Sequence, residues 1–237
     1  MSATIAFRRT ADPYRDTDVI DARAPRFNQA TVGVLSGVAV LAGWWPLLAL
    51  LALQLAVGLW FGRRWCLPCL FYFEVVQPRL GEGPIEDSRP PRFANQIGLV
   101  FLGAASAAYA VGWSMAGGIL GLAVAALALL AAMTGLCVGC ELYRLGARFR
   151  GIRSLRLARI DPADTGGPLA PGTVVEFTHP LCTDCRRLER ELRAAGRTVV
   201  PIDVSQRPDL ARKYGVALVP TAVVLDAGGG VVERVAG

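Results

Sequence analysis

Charged residues are missing from two long stretches of this 237-residue chain, 28–62 and 93–140. Hydrophobic residues make up 53% of the chain and the mean hydropathy is +0.42, which excludes an ordinary soluble protein. The first stretch is too long for one perpendicular membrane helix of about 20 residues, but it fits two shorter helices around the turn WWP at 44–46. The second stretch is broken by GWSMAGG at 112–118 and also requires two spans. We therefore predict four transmembrane helices.

Lysine is almost absent as well, because Lys213 is the only one, and the net charge of +6 comes almost wholly from arginine. The arginines cluster in three segments beside the hydrophobic runs, whereas the two hairpin turns have none. This placement argues against a nucleic-acid surface, and the positive-inside rule assigns all three basic segments to the cytoplasm. The arginine-rich composition is typical of a GC-rich bacterial genome, so a bacterial inner membrane is expected. No removable signal peptide is evident at the N-terminus.

The two hydrophobic runs belong to an internal repeat, 25–73 and 91–144. PRFNQATVG opens the first repeat and PRFANQIGLV opens the second, while CLPCLFY and CVGCELY close them. Because both repeats begin and end on one side, their pseudo-twofold axis should run along the membrane normal, as in parallel-repeat proteins. This arrangement predicts that the two C-x-x-C motifs approach each other at the cytoplasmic face.

These features predict an α-helical integral membrane bundle fused to a soluble α/β domain. Residues 1–27 form a cytoplasmic N-terminal segment, 28–145 the four-helix membrane domain, and 146–172 a basic stem and linker that is rich in proline and glycine. In the soluble domain, 173–237, the strand patterns TVVEF and TVVPIDV alternate with the helical patterns CTDCRRLERELRAAG and RPDLARKYGV, and TAVVLDAGGGVVERVAG predicts a hairpin.

Unpaired cysteines are absent too. All six cysteines fall into three C-x-x-C motifs: Cys66 and Cys69, Cys137 and Cys140, and Cys182 and Cys185. In a chain of this length such a motif indicates a redox dithiol or a metal clip.

The soluble domain carries a specific resemblance. VVEFTHPLCTDC followed by IDVSQRPDLARKYGVALVPTAVVL resembles the thioredoxin family, in which a dithiol lies at a strand-to-helix turn. The resemblance covers residues 173–237 and implies thiol-disulfide oxidoreduction with no required cofactor. It also implies four catalytic-site residues: Cys182 as the attacking thiol, Cys185 as the resolving thiol, Glu176 as the buried carboxylate that assists proton transfer, and Pro220 as the cis proline of the peptide groove.

Two features depart from the thioredoxin pattern. The family's usual Gly-Pro between the cysteines is Thr183-Asp184 here, and the chain stops before the family's last helix. A helix N-terminus lowers the pKa of a cysteine, so Cys182 is the expected nucleophile, although Asp184 opposes its ionisation. The single histidine, His179, would assist Cys182 if it were a cation, but a lone histidine in a loop is more often an ordinary loop residue, and we favour that interpretation.

Residues 20–145 resemble, through the PRF openings and the CVGCELY ending, a family of bacterial four-helix membrane domains of unknown function. This resemblance implies a topology and no mechanism. Tyr72 and Tyr143 follow the second cysteine of each motif by three residues, and we interpret them as anchors at the membrane interface, with a hydrogen bond to a sulfur or a cofactor as the alternative.

Three hypotheses remain open for the membrane cysteines. In the first, Cys66/Cys69 and Cys137/Cys140 are redox pairs that exchange electrons with the tethered thioredoxin-like dithiol. In the second, the same four cysteines bind one zinc ion or iron-sulfur cluster, and the protein is an anchor that recruits a partner. In the third, the bundle carries a soft metal or a sulfur species.

The expected partners follow from these hypotheses. They are the lipid bilayer and either a protein disulfide or dithiol substrate or another membrane protein, with no nucleic acid. A quinone would suit a redox membrane protein, but no residue pattern in the sequence indicates a site for one.

Overall fold

The computed structural model describes residues 11–153, 157–167, 169–216 and 218–236. The first ten residues of the predicted N-terminal segment lie outside the described residues, as do 154–156 and 168 of the predicted stem and linker. The described chain divides into two compact units. A helical unit comprises 21–83 and 88–153, and an α/β unit comprises the described residues of 1–20, 84–87 and 154–237.

Two helix pairs in the helical unit coincide with the two charge-free stretches. The main helices are α1 (Arg23–Leu41), α2 (Pro46–Phe61), α5 (Arg89–Ala110), α6 (Ser114–Thr134) and α7 (Val138–Arg153). The short helices α3 (Leu67–Phe71) and α4 (Gln77–Leu80) follow α2, and one turn of π-helix connects them. The chain reverses at Gly43 and Gly112, whose φ values of +68° and +87° favour glycine.

The two hairpins pack against each other by exchanging partners. α1 contacts mainly α6, and α2 contacts mainly α5, so the first helix of each repeat packs on the second helix of the other. The opening and closing motifs also touch within each repeat. The ring centroids of Phe27 and Tyr72 are 6.0 Å apart, and those of Phe93 and Tyr143 are 5.6 Å apart. Equivalent residues of the two repeats therefore make equivalent contacts.

The outer faces of the helical unit are apolar. Leu48 and Leu102 are fully buried between the helices, whereas Leu50 and Val100 are 60% and 66% exposed. Large exposed apolar side chains are typical of a surface that faces lipid or a protein partner. Two helices, α5 and α6, are long and apolar enough to cross a membrane, and α2 is apolar but has only 16 residues. Four spans therefore remain a prediction.

Tyr72 differs from our interpretation of an interfacial anchor. Its side chain is buried, and its hydroxyl donates a hydrogen bond to the carboxylate of Asp21 at 3.1 Å. The same carboxylate accepts hydrogen bonds from the Gln77 side chain at 3.3 Å and from the backbone of Gly83 at 2.9 Å. Burial and the nearby Asp21 raise the pKa of Tyr72, so the phenol stays neutral and acts as a donor. Tyr72 therefore joins the closing motif of the first repeat to Asp21, just before that repeat begins.

The strands and helices of the α/β unit are β3 (Val174–Thr178), α8 (Thr183–Ala194), β4 (Val199–Asp203), α9 (Pro208–Lys213), β5 (Thr221–Leu225) and β6 (Val231–Ala236). The strands form a four-stranded sheet with the order β4-β3-β5-β6. β3 pairs with β4 in parallel and with β5 antiparallel, and β6 pairs antiparallel with β5. Strands β3 and β5 are buried on both faces, which explains why they are mainly apolar, with Glu176 and Thr221 as buried polar residues.

A second, two-stranded sheet pairs β1 (Val19–Asp21) with β2 (Ile85–Asp87). β2 lies between the two hairpins in the sequence, yet Pro84–Asp87 belongs to the α/β unit, where it contacts α8. The residue pattern of this loop does not predict a strand.

Candidate functional site

The dithiol of the α/β unit lies where β3 leads into α8. Cys182 is the residue that caps the N-terminus of α8, and Cys185 lies in its first turn. The two cysteines form a disulfide, and the backbone N–H of Cys185 donates a hydrogen bond to Cys182 Sγ at 3.2 Å. After reduction, this N–H and the helix dipole would stabilise a thiolate at Cys182. The geometry therefore favours Cys182 as the nucleophile.

Thr183 and Asp184, which replace the usual Gly-Pro, occupy different environments. The Asp184 carboxylate pairs with Arg187 at 2.9 Å, and both side chains are at least half exposed. Its charge is therefore partly compensated and screened by water. Thr183 instead accepts a hydrogen bond through Oγ1 from the backbone N–H of Ile85 in β2, at 2.9 Å.

Glu176 is fully buried in β3. It lies two residues from Val174, on the face of the sheet where Val174 packs with Leu188 and Leu192 of α8. Neither carboxylate oxygen has a hydrogen-bond partner among the described residues. Burial, reinforced by Glu189, raises the pKa of Glu176 to about 7. A carboxyl group with this pKa can both accept and release a proton near neutral pH.

His179 is buried beside the dithiol and does not supply the cation that the sequence left open. Burial lowers the pKa of its side chain, although Asp203 and other acidic residues oppose the effect, so the imidazole is neutral at pH 7. Its Nδ1 accepts a hydrogen bond from the N–H of Leu181 at 3.2 Å, and its carbonyl accepts one from the N–H of Cys182 at 3.0 Å. His179 therefore orders the loop that positions Cys182.

Pro220 follows a cis peptide bond with Val219 and precedes β5. It is half-buried, and β5 pairs directly with the strand that leads to the dithiol. These features fit the role that the thioredoxin resemblance implies for this residue.

Access to the dithiol is restricted. Cys182 and Cys185 are 1% and 0% exposed, and Ile85, whose N–H contacts Thr183, is 4% exposed. The disulfide is therefore closed to a substrate in this structure. The contact between β2 and Thr183 was not predicted, because the loop from which β2 comes has no pattern that distinguishes it from a simple connection.

The first C-x-x-C pair of the helical unit also lies at a helix N-terminus. Cys66 caps α3, and Cys69 lies within it. The two form a disulfide, and both are buried. The side-chain amide of Gln54 in α2 donates a hydrogen bond to Cys66 Sγ at 3.6 Å.

The second pair, Cys137 and Cys140, has two free thiols at the start of α7. The backbone N–H of Cys140 donates a hydrogen bond to Cys137 Sγ at 3.4 Å. The Cys140 thiol, backbone N–H groups and the Gln29 side chain all hydrogen-bond to Cys137 and lower the pKa of its thiol. Cys137 is half-buried and Cys140 is buried. Cys137 is therefore the more reactive thiol of this pair.

The four membrane-domain cysteines do not converge on one site in this structure. Within the described ranges, no group of three or more His, Cys, Asp or Glu side chains is arranged to hold a metal ion. Cys66 and Cys69 are bonded to each other, which leaves two thiols elsewhere. The metal hypothesis has no preformed tetrathiolate to support it here.

Comparison with known families agrees with this division of the chain. Residues 20–148, more than half of the chain, match the family described as "Domain of unknown function (DUF4395)", and residues 170–237 match the thioredoxin family. No curated protein and no solved structure matches the chain. Both resemblances found in the sequence are thus confirmed. The chain belongs to the DUF4395 family and carries a thioredoxin domain at its C-terminal end.

Proposed function

We propose that this protein is a membrane-bound thiol-disulfide oxidoreductase. The observation that carries the proposal is the Cys182/Cys185 pair at the N-terminus of α8 in a thioredoxin domain, with the buried Glu176 in the strand before it. A degenerate binding module of the same fold would need none of these chemical groups.

The reaction begins with the reduced pair. The Cys182 thiolate attacks one sulfur of a substrate disulfide, a mixed disulfide forms, and the other substrate sulfur leaves as a thiolate that takes up a proton. The hydrogen bond from the N–H of Cys185 stabilises the attacking thiolate. Because Cys182 is 1% exposed, we propose that the segment that includes β2, which hydrogen-bonds to the neighbouring Thr183, withdraws first.

The second step releases the substrate. Cys185 loses its proton, directly or through water, to the ionised form of Glu176, whose pKa of about 7 suits this exchange. The Cys185 thiolate then attacks Cys182 Sγ, and the second substrate sulfur leaves with a proton. One disulfide has been opened in the substrate and one has been closed in the protein, and the same steps run in reverse for a dithiol substrate.

We extend the proposal to the other two pairs. Cys66/Cys69 and Cys137/Cys140 would exchange electrons with the thioredoxin dithiol, since each exchange needs only a thiolate and a disulfide. The linker that ends at residue 172 would keep the thioredoxin domain at millimolar effective concentration, so a weak docking surface is enough. The two apolar helices α5 and α6 support insertion in a bilayer. Four spans and a cytoplasmic thioredoxin domain are the topology that the arginine distribution favours.

A trapping experiment tests this function. In a Cys185→Ser variant the mixed disulfide at Cys182 cannot be resolved, so oxidised substrate and intramolecular partners should accumulate on Cys182. Mass spectrometry of the trapped species would identify cross-links to a membrane-domain cysteine. The matched control is Cys182→Ser, which keeps the same number of thiols and should trap nothing at that position. Equal trapping in both variants would overturn the assignment of the nucleophile.

Metal analysis of the same preparation separates the redox proposal from the anchor hypothesis. One stoichiometric zinc ion that is lost in a Cys66→Ser/Cys137→Ser double variant would overturn the relay through these cysteines.

Membrane orientation is tested by an impermeant maleimide. Labelling of reduced Cys182 from outside intact cells would contradict a cytoplasmic domain.

A further inference from the structure

The helical unit contains a cavity of about 370 Å³ that includes one thiol of the second C-x-x-C pair. This volume falls within the range of small-molecule sites. Most of the cavity wall is apolar, with contributions from Val32, Leu55, Phe101, Val124 and Leu127. Four polar side chains also line the cavity, and they come from the opening motifs of the two repeats and from the start of α7: Asn28, Gln29, Asn95 and Cys137. The site is therefore apolar along its walls, with a small group of polar side chains.

The two asparagines come from the PRFNQ and PRFANQ motifs, whose role the proposed function leaves unexplained. Asn28 Nδ2 donates a hydrogen bond to Asn95 Oδ1 at 3.3 Å, so the two repeats meet at this pair. Asn28 is only 3% exposed, and its Oδ1 has no hydrogen-bond partner within the part of the chain that the structure describes. The side-chain amides of this pair place hydrogen-bond donors and acceptors beside the apolar wall of the cavity.

Cys137 supplies the chemistry at this group of polar side chains. Its thiol lines the cavity, and its partner Cys140 follows one helical turn later with its N–H directed to Cys137 Sγ. Both cysteines are free thiols, so together they can release two electrons and two protons and form one disulfide. A molecule in the cavity is placed beside a two-electron donor.

We propose that this cavity binds a lipid-soluble quinone and that Cys137 and Cys140 reduce it. The two thiols lose two electrons and two protons and form the Cys137–Cys140 disulfide, and the quinone gains both and becomes a hydroquinone. The amides of Asn28 and Asn95 are suited to both forms, because an amide NH₂ donates to a quinone carbonyl and an amide oxygen accepts from a hydroquinone hydroxyl. The inference rests on the proposed function in one respect only: the thioredoxin dithiol is the source of the electrons that reduce the Cys137–Cys140 disulfide again.

The wall of the cavity argues for a ligand that arrives through the bilayer. Phe101 and Leu127 line the cavity and are 40% and 47% exposed, so the cavity is open beside these two side chains. A lipid acyl chain would fit the apolar wall, but it has no polar group for the two asparagines and cannot accept electrons. A soft metal ion would leave the apolar wall unused. A quinone fits both parts of the site, because its ring suits the polar side chains beside Cys137 and its hydrocarbon tail suits the apolar wall.

The test uses the full-length protein in detergent with Cys66, Cys69, Cys182 and Cys185 replaced by serine, so that only Cys137 and Cys140 can react. The probe is a 1,4-benzoquinone with a decyl chain and no free ring position, to which thiols cannot add. After reduction and anaerobic removal of the reductant, we expect one hydroquinone per protein by ultraviolet absorbance. Mass spectrometry should show one Cys137–Cys140 disulfide.

Matched variants in α6 show whether the reaction occurs in the cavity. Ala128 lines the cavity, whereas Ala126 is exposed and does not line it. We expect Ala128→Phe to slow quinone reduction at low probe concentration by at least about tenfold, the change that 1.4 kcal/mol of lost binding gives, and Ala126→Phe to leave the rate unchanged. Asn28→Leu should also slow the reaction.

Three results would overturn the proposal: no hydroquinone, equal rates in the two phenylalanine variants, or probe binding that leaves both thiols free. The same quinone assay on protein that retains all six cysteines shows whether a failed reaction is due to misfolding of the four-serine variant. Because the assay omits Cys182 and Cys185, it fails or succeeds independently of the trapping experiment at those residues.

Discussion

Raising the pH should destabilise the thioredoxin domain through Glu176. The pKa of this carboxyl rises from its ordinary value of 4.5 to about 7 in the folded chain. Between these two values the folded state holds a proton that the unfolded state has released, so the free energy of unfolding falls as the pH rises. With about 1.4 kcal/mol for each pKa unit, the total loss is about 3 kcal/mol and is complete above pH 7.

A Glu176→Leu variant should lose this pH dependence, because leucine fills a similar volume and carries no charge. The assay is amide hydrogen exchange of β3 in the full-length protein between pH 5 and 8, corrected for the intrinsic exchange rate at each pH. His179 acts in the opposite direction. Its lowered pKa removes stability as the pH falls, so the difference between wild type and variant isolates Glu176. Equal slopes in the two proteins would refute the reasoning.

Three further substitutions test contacts elsewhere. Thr183→Ala removes the acceptor for the N–H of β2 and should speed alkylation of reduced Cys182 about two- to tenfold, whereas Thr183→Ser keeps the hydroxyl and should react as wild type. Gly139→Ala would place its Cβ 2.8 Å from a side-chain carbon of α5 and should lower the thermal midpoint, by overpacking worth about 1–3 kcal/mol. Gly103→Ala, with no atom within 4 Å, should not. Asp21→Ala leaves a buried hydroxyl and a backbone N–H unpaired and should also lower the midpoint, and Asp21→Asn should lower it less. An unchanged midpoint in either destabilising variant would contradict the packing described.

The main helices could be predicted because the two stretches without charge are long and are interrupted by strong turn sequences. The actual helices begin and end close to those turns, at Leu41 and Pro46 in the first pair and at Ala110 and Ser114 in the second. The thioredoxin site could be predicted for a different reason. Its dithiol, glutamate and proline come in a fixed order, and each has its own chemical role.

Other features depend on contacts that no local pattern encodes. β2 has three residues, too few to show a period, and its Ile85 contacts Thr183, which is 98 positions away. The pairing of Asn28 with Asn95 requires the packing of one repeat on the other, although both motifs were visible in the sequence. The C-x-x-C spacing is the same for all three pairs, so it cannot distinguish the free thiols at Cys137 from the two disulfides.

The exchange of partners between the two hairpins determines when the helical domain can assemble during synthesis. α1 and α2 are complete before their main partners, α6 and α5, have left the ribosome. The buried face of the first hairpin therefore stays uncovered until α5 and α6 are made, since its principal contacts span long stretches of sequence and form late. Neither half of the repeat is then an independent folding unit, and a chain truncated after the first hairpin should be a substrate for quality-control proteases.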